Sequence, residues 1–262
     1  MFYHDKALMI PVRVQSPNRQ HAALVLEQFG GANGELKACL QYFVQSFGVT
    51  DPRVRDLLLD ISTEEISHLE LVGTVVSQFL APVRTGEYDG MADPTMRAEA
   101  DALRNANSTA AKALVLGGGG PLVADASGTP FTGAYINANG DLFTDLTSDF
   151  AAEMRAKRVY EMLYREVPDR GAREVFDFLI EREEAHSALF HEALDRARDL
   201  GVMRDYGDTE LARRYPALSR PCEEGRSFRA TEGTEPIRGP LDPQEVRIGL
   251  ARNRPTGVLA RR

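Results

Sequence analysis

The sequence predicts an all-α four-helix bundle built from two helical hairpins, a long crossover between them and an extended C-terminal tail. Three observations predict it. Four long helical segments fall in two pairs, and within each pair only a very short turn separates the helices, which forces them to be antiparallel neighbours. A long stretch containing GGGGP, ASGTP and NANGD parts the two pairs. Alternating strand patterns are weak throughout. Two hairpins with one long connection are the ferritin-like arrangement.

The first 15 residues read as an extended lead-in. Ser16-Pro17 offers a cap and a first-turn proline, so a helix is expected from there to about Phe47. Gly30, Gly31 and Gly34 fall inside it. Each costs about 1 kcal/mol in a helix interior, so close helix contact or room for a ligand must offset them. Gly48 ends the segment, and Asp51-Pro52 opens a second that runs to about Leu80. Residues 81–93 read as loop, 94–113 as a shorter helix and 117–140 as the long loop. A third long helix covers 142–167 and stops at Pro168; Asp169 starts a fourth, to about Leu200.

The chain has 262 residues, 43% hydrophobic and 27% charged, with a mean hydropathy of -0.31. That is enough for a sizeable core, and no apolar run approaches the roughly 20 residues of a membrane span. The N-terminal stretch is too short in apolar residues for a signal peptide. Cys39 and Cys222 cannot build a disulfide framework, and a reducing cytoplasm is expected. The net charge of -8 argues against nucleic acid as the main partner. Residues 201–262 hold 12 Arg, no Lys and 9 Asp or Glu, which is +3 and leaves -11 on residues 1–200. We therefore divide the chain into a bundle domain, 1–200, and a basic arm, 201–262, expected to pack on an acidic surface of its own or a neighbouring subunit.

Five histidines are present: His4, His21, His68, His186 and His191. Two follow a glutamate by three residues, in Glu65-Ile66-Ser67-His68 and Glu183-Glu184-Ala185-His186. On a helix such pairs project from one face. One Glu-x-x-His alone is weak evidence, but the two recur in the same frame. Glu35 precedes Glu65 by 30 residues and His68 by 33; Glu153 precedes Glu183 and His186 by the same 30 and 33. Tyr42 and Tyr160 each follow their glutamate by seven. The halves thus read as an internal duplication. Counting about 1.5 Å per residue from each hairpin turn puts all six groups at one level of the bundle. Four carboxylates converging between packed helices would be very costly without cations. Glu, Glu-x-x-His, Glu, Glu-x-x-His is the di-iron and di-manganese carboxylate pattern, and an oxygen-rich donor set with imidazole suits Mn or Fe. Asp56 and Asp60, i and i+4 on the second long helix, read as a solvated face or half of a calcium site. His191 lies five residues from His186, off its face, and His4 and His21 have no partner in the pattern.

The stretches MFYHDKALMIPV, FGGANGELKACLQYFVQSF, DISTEEISHLELV, PFTGAYINANGDLFTDL, DFAAEMRAKRVYEMLY and FLIEREEAHSALFHEAL resemble the manganese catalases, non-haem enzymes that disproportionate hydrogen peroxide. The resemblance covers most of residues 1–200. It implies two manganese ions per chain, Glu35 and His68 on one, Glu153 and His186 on the other, and Glu65 bridging both. It makes Glu183 an outer carboxylate that takes up and returns protons, and Tyr42 the residue that hydrogen-bonds the first glutamate ligand. Some members carry an Arg immediately before the third-helix glutamate, where this chain has Ala152. Some bind calcium between subunits, and Asp56 and Asp60 match the helical part of that site, although residues 215–219 offer no matching tail motif. The family forms hexamers whose tails wrap neighbours. The alternatives are a ferritin-like di-iron protein, for storage with ferroxidase activity or as an oxidase, and a coat or scaffold protein that kept the fold.

Overall fold

The computed structural model describes residues 3–81, 109 and 116–202. Most of the short helix expected over 94–113, and nearly all of the arm, lie outside the described residues. Five α-helices carry the bundle: α1 (Arg19–Gly30), α2 (Glu35–Ser46), α3 (Pro52–Phe79), α4 (Leu142–Glu166) and α5 (Arg170–Asp199). Among the described residues there is no strand, only an isolated bridge between Ala124 and Pro130 in the crossover.

The ends of these helices follow from their sequence. Asp51 accepts from the N–H groups of Arg53 and Val54, and Pro52 stands in the first turn of α3. Asp141 accepts from Thr144 at the start of α4, and Asp169 from Ala172 at the start of α5. Each carboxylate satisfies N–H groups that have no partner inside the helix. The first helix starts later than Ser16-Pro17 suggests: Asn18 is its cap, accepting from the His21 N–H.

The first segment is also two helices rather than one. It breaks between Gly30 and Glu35, where the glycines sit. A Cβ on Gly30 would lie 2.5 Å from the Ala124 nitrogen, and one on Gly34 2.7 Å from the Gln28 carbonyl oxygen. The glycines thus allow backbone to meet backbone, and they place Glu35 in the first turn of α2. There the helix dipole favours a negative charge.

α2 and α1 pack mainly on α3, and α4 packs on α5; contacts of α1 and α2 with α4, and of α3 with α5, close the bundle. Two apolar clusters fill it. One contains Val25, Leu26, Leu71, Val75, Tyr160, Leu163, Phe176 and Leu179. The other contains Tyr42, Leu58, Ile61, Leu146, Phe190 and Ala193. Along α3, α4 and α5 the change from one cluster to the other falls at 65–68, at 153 and at 183–186. The candidate site is therefore the polar layer between two dry ones. The extended lead-in crosses the bundle end: Val14 N–H donates to Gln78 Oε1, and Gln15 N–H to Asp169 Oδ2.

Candidate metal centre

Glu35, Glu65, His68, Glu153, Glu183 and His186 are each no more than 1% exposed. Ligand atoms of Glu65, His68, Glu183 and His186 all lie within 4.8 Å of one another. Glu65 is central: Oε2 is 3.3 Å from Nδ1 of His68, and Oε1 is 2.8 Å from Nδ1 of His186. Glu35 Oε2 approaches the His68 Nδ1 at 3.8 Å, and Glu153 Oε2 the His186 Nδ1 at 3.7 Å. Glu183 Oε1 faces the His68 Nδ1 at 3.5 Å. The imidazoles stack, centroids 5.4 Å apart.

These atoms fit a metal site. Both Glu65 oxygens, Glu153 Oε2, Glu183 Oε1 and both Nδ1 atoms are buried without a hydrogen bond. Orphaned donors and acceptors at this density are rare in a folded interior. The electrostatics agree. Burial, reinforced by Glu153 and Glu65, pushes Glu183 well above the usual carboxylate range, and burial with Glu65 raises Glu35 to about 8. Burial alone would lower the imidazoles, yet the facing carboxylates overcome it and raise His186 to about 12. Positive charge is in demand here, and protons or cations must supply it.

The tyrosines correct one expectation. Tyr42 OH donates to Glu153 Oε1, not to Glu35, and Tyr160 OH donates to Glu35 Oε1. A residue seven along a helix is two turns, about 10 Å, from its starting point. The nearer carboxylate is the one the other hairpin supplies.

Two residues at the centre were not singled out by the sequence. Glu64 reaches behind the imidazoles, its Oε1 3.4 Å from Nε2 of His68 and its Oε2 3.3 Å from Nε2 of His186. Arg182 grips the same carboxylate from Nε at 2.6 Å and Nη2 at 3.3 Å. Ala152 is buried. Close to the centre a second polar group continues along α2 and α4: the side-chain amides of Gln41 and Gln45 donate to Asp149 Oδ1 at 2.7 and 2.8 Å, and Lys37 is buried nearby.

The remaining residues stay apart from the cluster. Asp56 and Asp60 are exposed on α3 and join no group of three or more candidate ligands among the described residues. His191 is exposed beside Asp195, and His4 lies 3.3 Å from Glu70 at the surface. Cys39 is a buried free thiol, and Cys222 lies outside the described residues.

A helical bundle whose paired hairpins deliver four glutamates and two histidines to one dry layer belongs to the ferritin-like carboxylate metalloproteins. Comparison with known proteins narrows this. The family model for manganese containing catalase matches residues 1–244. The probable manganese catalase of Clostridium acetobutylicum is 41% identical over 238 residues, 90% of this chain and 97% of that protein. The manganese catalase of Bacillus subtilis is 28% identical over 269 residues, 93% of this chain and 96% of that one. The crystal structure of KatB, a manganese catalase from Anabaena PCC7120, superposes with a TM-score of 0.69 at 33% identity, covering 89% of this chain and 96% of that one. The chain belongs to the manganese catalase family, and its activity is that of a catalase, a hydrogen-peroxide oxidoreductase.

Proposed function

We propose that the chain holds two manganese ions between its hairpins, with Glu35 and His68 on one, Glu153 and His186 on the other, and Glu65 shared. The observation that carries this reading is the position of Glu65, with one oxygen toward each imidazole. Glu183 Oε1 lies 3.5 Å from the His68 Nδ1, beside the shared carboxylate, and the family resemblance supports a proton-handling role for it.

The reaction turns two peroxide molecules into one oxygen and two water molecules. One peroxide gives up two electrons and two protons; the other accepts them as its O–O bond breaks. Bound manganese supplies the electron store between the two halves. The protein supplies the rest. Burial beside Glu153 and Glu65 raises the proton affinity of Glu183, which suits its carboxylate to take up a proton and return it when the O–O bond is cleaved. The hydroxyl of Tyr42 fixes the orientation of Glu153, as an outer hydrogen bond to a ligand does. The two apolar clusters on either side keep bulk water from the layer.

The arm, 201–262, packs on a neighbouring subunit in a homo-oligomer, a hexamer by family resemblance. Its support is the charge split, +3 on the arm against -11 on the body. Light scattering of the full chain and of a chain ending at residue 202 tests it: the truncated chain should fall to smaller assemblies. Calcium at Asp56 and Asp60 rests on their spacing and exposure on α3; calcium uptake that vanishes in Asp60→Asn is the expected result. No helix of the described residues is long and apolar enough to cross a membrane, in keeping with a cytoplasmic enzyme.

The decisive experiment is to purify the protein from manganese-replete cells, quantify its metals and follow oxygen release from peroxide with azide present and haem absent. About two manganese per chain with rapid oxygen release is expected. Iron filling with ferroxidase activity and no oxygen release would replace this reading with the storage one.

A further inference from the structure

The duplication has one offset throughout. Glu35 and Glu153, Tyr42 and Tyr160, Glu65 and Glu183, His68 and His186 are all 118 residues apart, and each pair keeps its residue type. Glu64 and Arg182 are also 118 apart, each four residues before its histidine, but here the type changes from acid to base. These two side chains meet. Arg182 binds both oxygens of Glu64, and each oxygen faces the Nε2 of a different imidazole, at 3.4 and 3.3 Å. Both Nε2 atoms are buried and have no hydrogen bond, so Glu64 is the acceptor placed to receive both.

We propose that Glu64 is a positioning residue common to both metal sites, holding His68 and His186 by their Nε2–H groups while Arg182 locks it in place. The inference rests on the two-manganese reading above. Its physical basis is tautomer control. An imidazole that donates from Nε2 presents a free lone pair at Nδ1, and both Nδ1 atoms point at Glu65. One carboxylate has two oxygens and serves both rings. A second carboxylate at position 182 would set two negative charges against each other behind the histidines. An arginine there neutralises Glu64 and fixes its plane bidentately. The alternative is an ordinary surface ion pair, since Glu64 and Arg182 are about a quarter and a third exposed; such a pair contributes little and touches nothing else.

Glu64→Gln separates the two. The amide keeps one acceptor oxygen and turns an NH2 toward the other ring. Parent and variant would be purified from manganese-replete cells, checked for helical content and challenged with a competing chelator, with manganese per chain and the visible spectrum of the manganese pair followed. In the variant one manganese should leave about 10- to 100-fold more readily than in the parent, with a changed spectrum and unchanged helical content. Parent-like retention and spectrum would overturn the proposal. If Glu64→Gln fails to fold, Arg182→Gln carries the test: it frees the carboxylate without removing it and should loosen both ions by a smaller factor, whereas parent-like behaviour overturns the proposal. A parent that holds no manganese would instead sink the metal-site reading on which this one stands.

Discussion

The hydroxyl of Tyr42 donates to Glu153, a residue of the opposite hairpin, and Tyr160 returns the arrangement by donating to Glu35. Each half of the duplication therefore orients the other half's carboxylate, and each tyrosine does so from within an apolar cluster.

This crossing predicts reciprocal effects. Tyr42→Phe should loosen the manganese held through Glu153, and Tyr160→Phe the one held through Glu35. A buried hydrogen bond to a charged acceptor contributes about 1.5–3 kcal/mol, so each change should weaken retention of its ion by roughly tenfold or more. Manganese counts after graded chelation of the two variants check this. Identical behaviour to the parent in both would show that the tyrosines only pack.

His186→Leu should abolish peroxide turnover and lose manganese while the bundle stays folded. Outer-shell substitutions around metals cost about 10- to 100-fold, so removing a ligand should exceed that. Leucine is close in bulk to the imidazole and leaves the two dry clusters on either side of the layer untouched, so helical circular dichroism should be retained. Full activity in this variant would show that the ligand assignment is wrong.

Asp149 gives a pH dependence with a definite sign. Burial raises it from an ordinary 3.8 to about 8, against the pull of the Gln41 and Gln45 amides and of Lys37. Between those values the folded protein binds more protons here than the unfolded chain. Its contribution is therefore fully present below about pH 4 and is lost as pH rises toward 8. Asp149→Asn mimics the protonated form and removes the loss. Its unfolding free energy from urea titration, relative to the parent, should rise from pH 5 to pH 8, by an amount on the order of a few kcal/mol at most. A constant difference would contradict the burial argument.

Gly171→Ala tests the lead-in. A Cβ there would lie 1.6 Å from the Arg13 carbonyl oxygen, so the extended segment must shift. We expect a loss of about 1–3 kcal/mol, read as a lower melting temperature, with manganese retention unchanged. A parent-like melting temperature would mean that residues 12–15 contribute little to holding the bundle end.

Much of this was legible in the sequence because helical spacing is rigid. Equal offsets of 30 and 33 residues, measured from two short turns, fix the level of each side chain along the bundle axis, and the six groups do meet in one buried layer. What spacing along one chain does not fix is the neighbour across the axis. That is why Tyr42 was expected on Glu35, and why Glu64, which looks like one more surface acid on α3, was not singled out. The break at Gly30–Gly34 was hidden for another reason. Glycines in an otherwise helical pattern signal close approach, but they do not say that the approaching backbone is the distant crossover at Ala124.

The crossed tyrosines carry a consequence for ancestry. A single hairpin bearing the Glu, Tyr and Glu-x-x-His set gives its own glutamate no tyrosine hydroxyl, so two hairpins must associate before either carboxylate is held in this way. Tethering them in one polypeptide freed matching positions to diverge, and an acid facing a base at 64 and 182 is a change that no symmetric pair of copies could have made.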